Sequence, residues 1–510
     1  MPYVFRRIGL STTVPGGICG SARVMSRLYI LRLVLPGMIL LAGCAHFPVN
    51  EPLNRSYHDK PEHADHGYIY NRSDGDELLV ALSLSGGGTR AAAFAFGVIK
   101  ALYDTEIGPP EQRRRLLDEV DLVSSVSGGG FTAAYWAAHG EEKLFRDFRD
   151  DFLYQNVDLA LNLRFLWPRN WFRLMGGTFE RVDVFAEYLD DQLFQKEEPL
   201  TFNHLNGKRP FFLFNATDIS YGTRFGFSQE RFDQLCSDLD KYPLARAVAA
   251  SSAVPLVNSP ITLKNYGWAE CGYEPSKRVP TNLRQTVSLQ RLRQQKALDS
   301  QRDATERPWI HLFDGSLVDN LGVQGLYDLA FDLERPCPDG EKLRHLVVIV
   351  VDATTELNHD FDLDVKGPNL KQAALALLNN PIDRLSDQIV DSLCPRLEEW
   401  VMKCTGGESS KIDVILVRIP DEEIPDTGER LLHVETSLSL PKKTVDALID
   451  AGSRAFEREA NRLSLVENLS QETIRTDNII LSESTSSCSG TASTTEHLHI
   501  NPEKKALAPI

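Results

Sequence analysis

The sequence predicts an α/β layered domain around a mixed, largely parallel sheet, and three observations carry that expectation. Two apolar runs, Leu78–Leu84 (LLVALSL) and Val120–Val126, each end in a glycine cluster that opens directly into an alanine-rich helical pattern. Four more short apolar runs follow, at Phe211–Asn215, Ile310–Phe313, Leu346–Val351 and Val414–Ile419. Helical patterns at Leu244–Ala253, Leu370–Leu378, Ile382–Val401 and Lys443–Leu463 separate them. Buried strands interleaved with helices build a layered α/β domain. With 42% hydrophobic and 25% charged residues, the 510-residue chain has the composition to bury a sizeable core.

Taken in order, the amino terminus reads as an address. From Met25 the chain carries two arginines, an apolar stretch from Leu33 to Ala42 broken by Pro36 and Gly37, and small residues before Cys44. About ten apolar residues are too few to span a bilayer, so a cleaved leader is expected over residues 1–43, with Met25 as an alternative start. Leu41-Ala42-Gly43-Cys44 resembles the lipobox of bacterial lipoproteins. That resemblance implies lipidation of Cys44 and anchorage in the cell envelope, and Ala45 after the cysteine points to the outer membrane. Residues 44–76, polar and without periodicity, read as a tether. The net charge is −16, and the first 43 residues hold five arginines and no acid, so the remainder carries −21. Such a chain is not built to bind nucleic acid.

Of eight cysteines, setting aside Cys19 and Cys44 leaves Cys236, Cys271, Cys337, Cys394, Cys404 and Cys488, an even number compatible with disulfides whose pairing is not readable. No CxxC pair or histidine cluster has metal-ligand spacing, so neither a metal nor a cofactor is expected. The folded region is expected over residues 77–465, with insertions near 160–180 and 274–307. The first, Asn162–Phe179, mixes Trp167, Trp171, Phe165 and Met175 with three arginines, a composition that suits either a lipid interface or a packed helical hairpin. The second is charged and Gln-rich and reads as a solvated excursion. Residues 466–510, rich in Ser, Thr, Glu and Asn, read as a disordered tail.

The chemistry centres on Ser127. It follows an apolar strand, precedes Gly128-Gly129-Gly130, and has the small Ser125 and Gly129 two positions either side. A serine on such a turn is lifted clear of its sheet as a nucleophile requires, although glycine and serine also mark plain turns. Acyl transfer further needs a base and donors for the oxyanion. Gly86, Gly87 and Gly88 open a helix after a strand, where N–H groups and the helix dipole favour an anion. The Gly-Lys-Ser/Thr ending of a phosphate loop and the GxGxxG pattern are both absent. Downstream, His311, His345, His359 and His433 are available as the base of a Ser-His-Asp esterase. Asp314 is the other candidate, placed where a predicted strand runs into Asp-Gly.

In order, SGGGTR, SVSGG and FDGSLVDN, with AVAASSAVPLVNSP between the last two, resemble the patatin-like phospholipase family from Leu78 to Asp352. The resemblance implies a three-layer α/β/α patatin-like fold and a lipid acyl hydrolase acting on phospholipid or other acyl-lipid esters. It implies a histidine-free dyad of nucleophile Ser127 and base Asp314, an oxyanion loop at Gly86, Gly87 and Gly88, and Arg90 as support for that loop. Ser125 stands where the family's GxSxG has its first glycine, and Ser316 where DGG or DGA has its last residue. A histidine-dependent esterase and an envelope scaffold that has lost activity are the rival expectations.

Overall fold

The computed structural model describes residues 47–53, 67–70, 77–195, 198–255, 257–271, 289–330, 343–356, 365, 367–405 and 410–472. Cys44, the expected leader over residues 1–43 and His359 lie outside them. Eight strands form one sheet. They are β1 (Leu78–Leu84), β2 (Val120–Val126), β3 (Phe211–Asp218), β4 (Thr223–Gly226), β5 (Ile261–Lys264), β6 (Trp309–Asp314), β7 (His345–Asp352) and β8 (Lys411–Arg418). Their order across the sheet is β8-β7-β1-β2-β3-β6-β5, with β4 also pairing β3. The five strands from β8 to β3 are parallel, whereas β4, β5 and β6 join antiparallel. Parallel strands are buried on both faces, and β1, β2, β3 and β7 are accordingly near-continuous apolar runs with almost no exposed residue.

Helices α1 (Gly88–Asp104) and α2 (Ser127–Phe148) follow β1 and β2 directly and pack on each other. Between α2 and β3 come α3 (Val157–Leu166), α4 (Pro168–Leu174) and α5 (Arg181–Leu189), and after β4 comes α6 (Leu244–Ser251). Two further helices, α7 (Leu289–Asp299) and α8 (Val323–Leu329), flank β6. The carboxyl-terminal region adds α9 (Leu370–Thr405), α10 (Lys442–Arg462) and α11 (Leu465–Glu472). Helix α10 lies along α1, and the two backbones touch through Gly97 and Gly452. A Cβ at Gly97 would come 2.0 Å from the Ile449 carbonyl oxygen, and one at Gly452 would come 2.3 Å from that of Phe94. With helices on both faces of a mostly parallel sheet, the fold is the expected three-layer α/β/α arrangement.

Several boundaries differ from the sequence expectation. The chain expected to be tail from residue 466 continues as α11 to Glu472, because Leu465 and Leu469 are buried against α10 and the Glu106–Ile107 strand. The tether is sewn to the domain at two points. The Asn50 side chain donates to the Ser237 Oγ and exchanges hydrogen bonds with the Lys264 backbone, and the Tyr68 hydroxyl caps both polar groups of Phe212 at 2.9 and 2.7 Å. Leu53 packs on the disulfide between Cys236 and Cys271. Residues 274–288 of the Gln-rich insertion lie outside the described residues. Its later part is not a solvated excursion, because Ala297 and Gln301 are fully buried and Arg307 holds the buried Asp218 at 2.6 Å. The two helices expected at Leu370–Leu378 and Ile382–Val401 are one element, which runs through Pro381 and Pro395.

Candidate active site

Register places the two candidate residues, Ser127 and Asp314, one strand apart. Val126, the last residue of β2, pairs with Asn215 of β3, and the next residue of β3, Ala216, pairs on its other side with Asp314. Ser127 leaves β2 with φ 46°, a left-handed conformation that an L-residue adopts only when its surroundings hold it there. The hold is visible: the Ser127 N–H donates to the Ser251 Oγ at 2.9 Å, and that hydroxyl donates to the Asn215 carbonyl at 2.6 Å. The Ser127 hydroxyl donates to Asp314 Oδ2 at 2.8 Å. The Ser316 N–H donates to the other carboxylate oxygen at 2.9 Å, and the Asp314 N–H donates to the Ala253 carbonyl.

Asp314 is 1% exposed and Ser127 7%. Burial pushes the Asp314 carboxyl up to about 6, against the pull of hydrogen bonds from the Ser316 backbone, the Ser316 side chain and Ser127. A carboxylate in this position is a stronger base than an ordinary aspartate and is still ionised at neutral pH. The candidate histidines stand elsewhere. His311 is exposed against Thr262, and His433 is exposed on a short helical turn. His345 is buried beside Asp413 at the amino-terminal end of β7, opposite Leu78, at the far end of the sheet from Ser127. The geometry brings Asp314, and no described histidine, to the serine.

The glycine loop divides its roles more finely than the sequence indicated. Gly86 is not a free donor: its N–H donates to the Asn320 carbonyl at 2.9 Å. Its lack of a side chain matters instead, since a Cβ would lie 2.6 Å from Asn320 Oδ1 and 3.3 Å from the Ser127 Cβ. Gly87 and Gly88, at φ 135° and 59°, make the sharp turn into α1. Among the described residues their N–H groups have no protein acceptor, and neither does that of Gly128 at the start of α2. The two loops lie back to back, so that a Cβ on Gly128 would be 2.1 Å from the Gly88 carbonyl oxygen and 2.6 Å from its nitrogen. Three unpaired donors at two adjacent helix amino termini make a site suited to an anion.

Arg90 lies beneath this loop. Its Nε donates to the Ala353 carbonyl at 3.0 Å and Nη1 to the Val434 carbonyl at 2.6 Å, so the guanidinium ties α1 to the end of β7 and to the carboxyl-terminal region. Burial pushes Arg90 down to about 10, opposed by the charges of Asp352 and Asp383. A buried guanidinium so engaged braces the loop. Ser251, Asn320 and Gly128 were not singled out as site residues, although each lies inside or beside a motif that was.

The Gly88–Gly128 contact makes a direct prediction. Gly128→Ala forces backbone apart from backbone, where no side chain can yield, and is expected to cost roughly 3 kcal/mol of folding stability. Urea denaturation of the purified variant checks this, and an unchanged midpoint would refute the close approach.

The family model for patatin-like phospholipase matches residues 82–327. No curated protein sequence matches the chain. Among solved structures it is similar to human GIVD cytosolic phospholipase A2, at 14% identity and a TM-score of 0.40, over 78% of this chain and 63% of that one. It is also similar to VipD from Legionella pneumophila, at 11% identity and a TM-score of 0.30, over 79% of this chain and 73% of that one. The chain thus spans less than two thirds of the human protein's length. The match runs from the strand before the glycine loop to the helix beyond Asp314, so residues 82–327 carry a patatin-like phospholipase domain.

Proposed function

We propose that the protein is a lipid acyl hydrolase that cleaves ester bonds of phospholipids or related acyl lipids through a Ser127–Asp314 dyad and a covalent acyl-serine intermediate. The observation that carries this reading is the 2.8 Å hydrogen bond from the Ser127 hydroxyl to a buried carboxylate whose affinity for a proton is raised. In the first step the Ser127 oxygen attacks the ester carbonyl while its proton passes to Asp314 Oδ2. The carbonyl oxygen gains a negative charge that the N–H groups of Gly87, Gly88 and Gly128 stabilise. Collapse of this adduct breaks the ester C–O bond, and the departing alkoxide takes the proton from Asp314. Water then attacks the acyl-serine, giving its proton to Asp314, and the second collapse returns that proton to Ser127 and releases the fatty acid.

The anchor belongs to the same reading. Lipidated Cys44 would hold the hydrolase in the cell envelope, at the outer membrane, beside its substrate. The disulfide between Cys236 and Cys271 supports an oxidising compartment.

An alkyl fluorophosphonate tests the dyad. It is expected to form one covalent adduct, located by peptide mass spectrometry on Ser127, and to stop release of fatty acid from phospholipid in mixed micelles. An adduct on another residue, or full hydrolysis by the labelled protein, would overturn the assignment. Palmitate labelling that survives Cys44→Ser would overturn the anchor.

A further inference from the structure

Helices α3 and α4 form a hairpin that is held to the core by Val157, Leu161 and Phe165 but leaves its far end outside it. Leu163, Leu166, Trp167, Trp171 and Met175 are between 59% and 78% exposed, and α4 has no buried residue at all. The stretch from Asn162 to Met175 carries Arg164, Arg169 and Arg173 without one acid, in a protein whose net charge is −16. Exposed tryptophan and leucine interleaved with arginine is the composition of a segment that lies in a bilayer interface.

Behind this hairpin is a cavity of about 480 Å³ with walls of opposite sign. Trp167, Arg164 and Arg169 line it from the hairpin, and Glu187, Asp190 and Asp191 from the end of α5 and the turn beyond. Two ion pairs staple the walls together, Arg164 to Asp191 at 2.7 Å and Arg173 to Glu187 at 2.6 Å. They leave one charge over on each side. Arg169 has no ion pair among the described residues, and Asp190 Oδ1, shielded from solvent, has no hydrogen-bond donor. An acceptor in that condition costs free energy until a donor reaches it. Burial, and then the neighbouring charge of Asp191, push the Asp190 carboxyl up to about 6, against the pull of a backbone hydrogen bond from Leu200.

The hairpin also stands on the segment that roofs the glycine loop. The Asp158 N–H at the start of α3 donates to the Ser439 Oγ at 3.0 Å, and two residues earlier the Ser437 carbonyl accepts from the Thr89 N–H at 2.8 Å. The base of α3 thus adjoins the segment that contacts the glycine loop.

From the unmatched cation, the unmatched acceptor and the exposed apolar rim, we infer that this cavity is a membrane-docking site that takes the phosphoethanolamine headgroup of a bilayer lipid while the hairpin enters the interface. The phosphate meets the Arg169 guanidinium, which suits it as a forked donor. The primary ammonium pairs with the Asp190 carboxylate, which lines the cavity. A choline headgroup offers the same phosphate but no N–H, so it leaves Asp190 unsatisfied. The inference rests on the lipid-hydrolase reading for its purpose but not for its chemistry, since binding needs no turnover.

The experiment uses the full chain carrying Cys44→Ser and Ser127→Ala, so that neither an anchor nor hydrolysis contributes. Partition onto vesicles of phosphatidylcholine, with and without phosphatidylethanolamine, is measured by co-sedimentation. Phosphatidylethanolamine is expected to strengthen binding, and O-phosphoethanolamine to compete where inorganic phosphate does not. Arg169→Gln is expected to weaken binding to both vesicle types about fivefold, the effect of one interfacial cation. Asp190→Asn is expected to abolish only the preference for ethanolamine. Equal binding to the two vesicle types, or a preference unchanged by Asp190→Asn, overturns the headgroup site. Binding of free O-phosphoethanolamine without any binding to vesicles overturns the membrane as its source. Hydrolysis of a soluble short-chain ester by Arg169→Gln and Asp190→Asn proteins that retain Ser127 is expected to match the wild type. Its loss in the wild type too would instead implicate the hydrolase reading.

Discussion

A protein carrying Ser127→Ala is expected to release fatty acid from phospholipid on the order of 10⁵-fold more slowly than the wild type, the scale of losing a nucleophile that works with its base as a unit. The expectation follows from how little else the substitution removes. The backbone of residue 127 is held at φ 46° by its N–H bond to Ser251 and by the β2-to-α2 turn, and alanine carries the same Cβ. The hydroxyl itself has one partner, Asp314 Oδ2, which keeps the Ser316 N–H on its other oxygen. The turn therefore survives and only the attacking atom is gone. The loss of a donor to a buried carboxylate is expected to cost about 1–3 kcal/mol of stability, small enough for the variant to be purified folded. Stopped assays with radiolabelled lipid, beside circular dichroism of the same preparation, provide the check. Activity within tenfold of the wild type would remove Ser127 from the reaction.

The elements that were legible in the sequence are those whose information is local. Both strand–glycine–helix units were visible because an apolar run, a φ-positive turn and an alanine-rich helix follow one another within about thirty residues, and the structure has them as β1 to α1 and β2 to α2. Asp314 was visible as a strand end running into Asp-Gly. Sheet order was not, because β5 and β6 join antiparallel through pairings with residues far away in the chain, and no periodicity encodes a partner. The same reason explains Gly86. Its place in the loop was readable, but its N–H is taken by a carbonyl at Asn320 that only the folded chain brings near. Helix α11 was missed because Leu465 and Leu469 sit among polar residues, and their burial is supplied by α10 and the Glu106–Ile107 strand.

Asp314→Asn separates the two properties that burial gives this residue, its basicity and its cost. As the base, Asp314 must be ionised, so kcat/KM of the wild type on a soluble ester is expected to rise through about pH 6, where the buried carboxyl loses its proton, and to level off above it. The asparagine can still accept from Ser316 and face the Ser127 hydroxyl but cannot take its proton, and kcat is expected to fall about 10³–10⁴-fold. Stability moves the other way. The native carboxyl titrates at about 6 and the unfolded one near 3.8, so the folded state binds the proton more tightly. The resulting penalty is complete above about pH 6, fades as pH falls from there, and is gone by the unfolded value. The gap between the native and unfolded values is worth about 3 kcal/mol, so the asparagine variant is expected to gain up to that amount at pH 8 and to lose its advantage by about pH 4. Urea denaturation at both pH values, paired with the rate profile, tests both halves. A rate that stays flat from about pH 5 to pH 8 would exclude Asp314 as the base, and a variant less stable than the wild type at pH 8 would mean that its hydrogen bonds, rather than its buried charge, dominate the site.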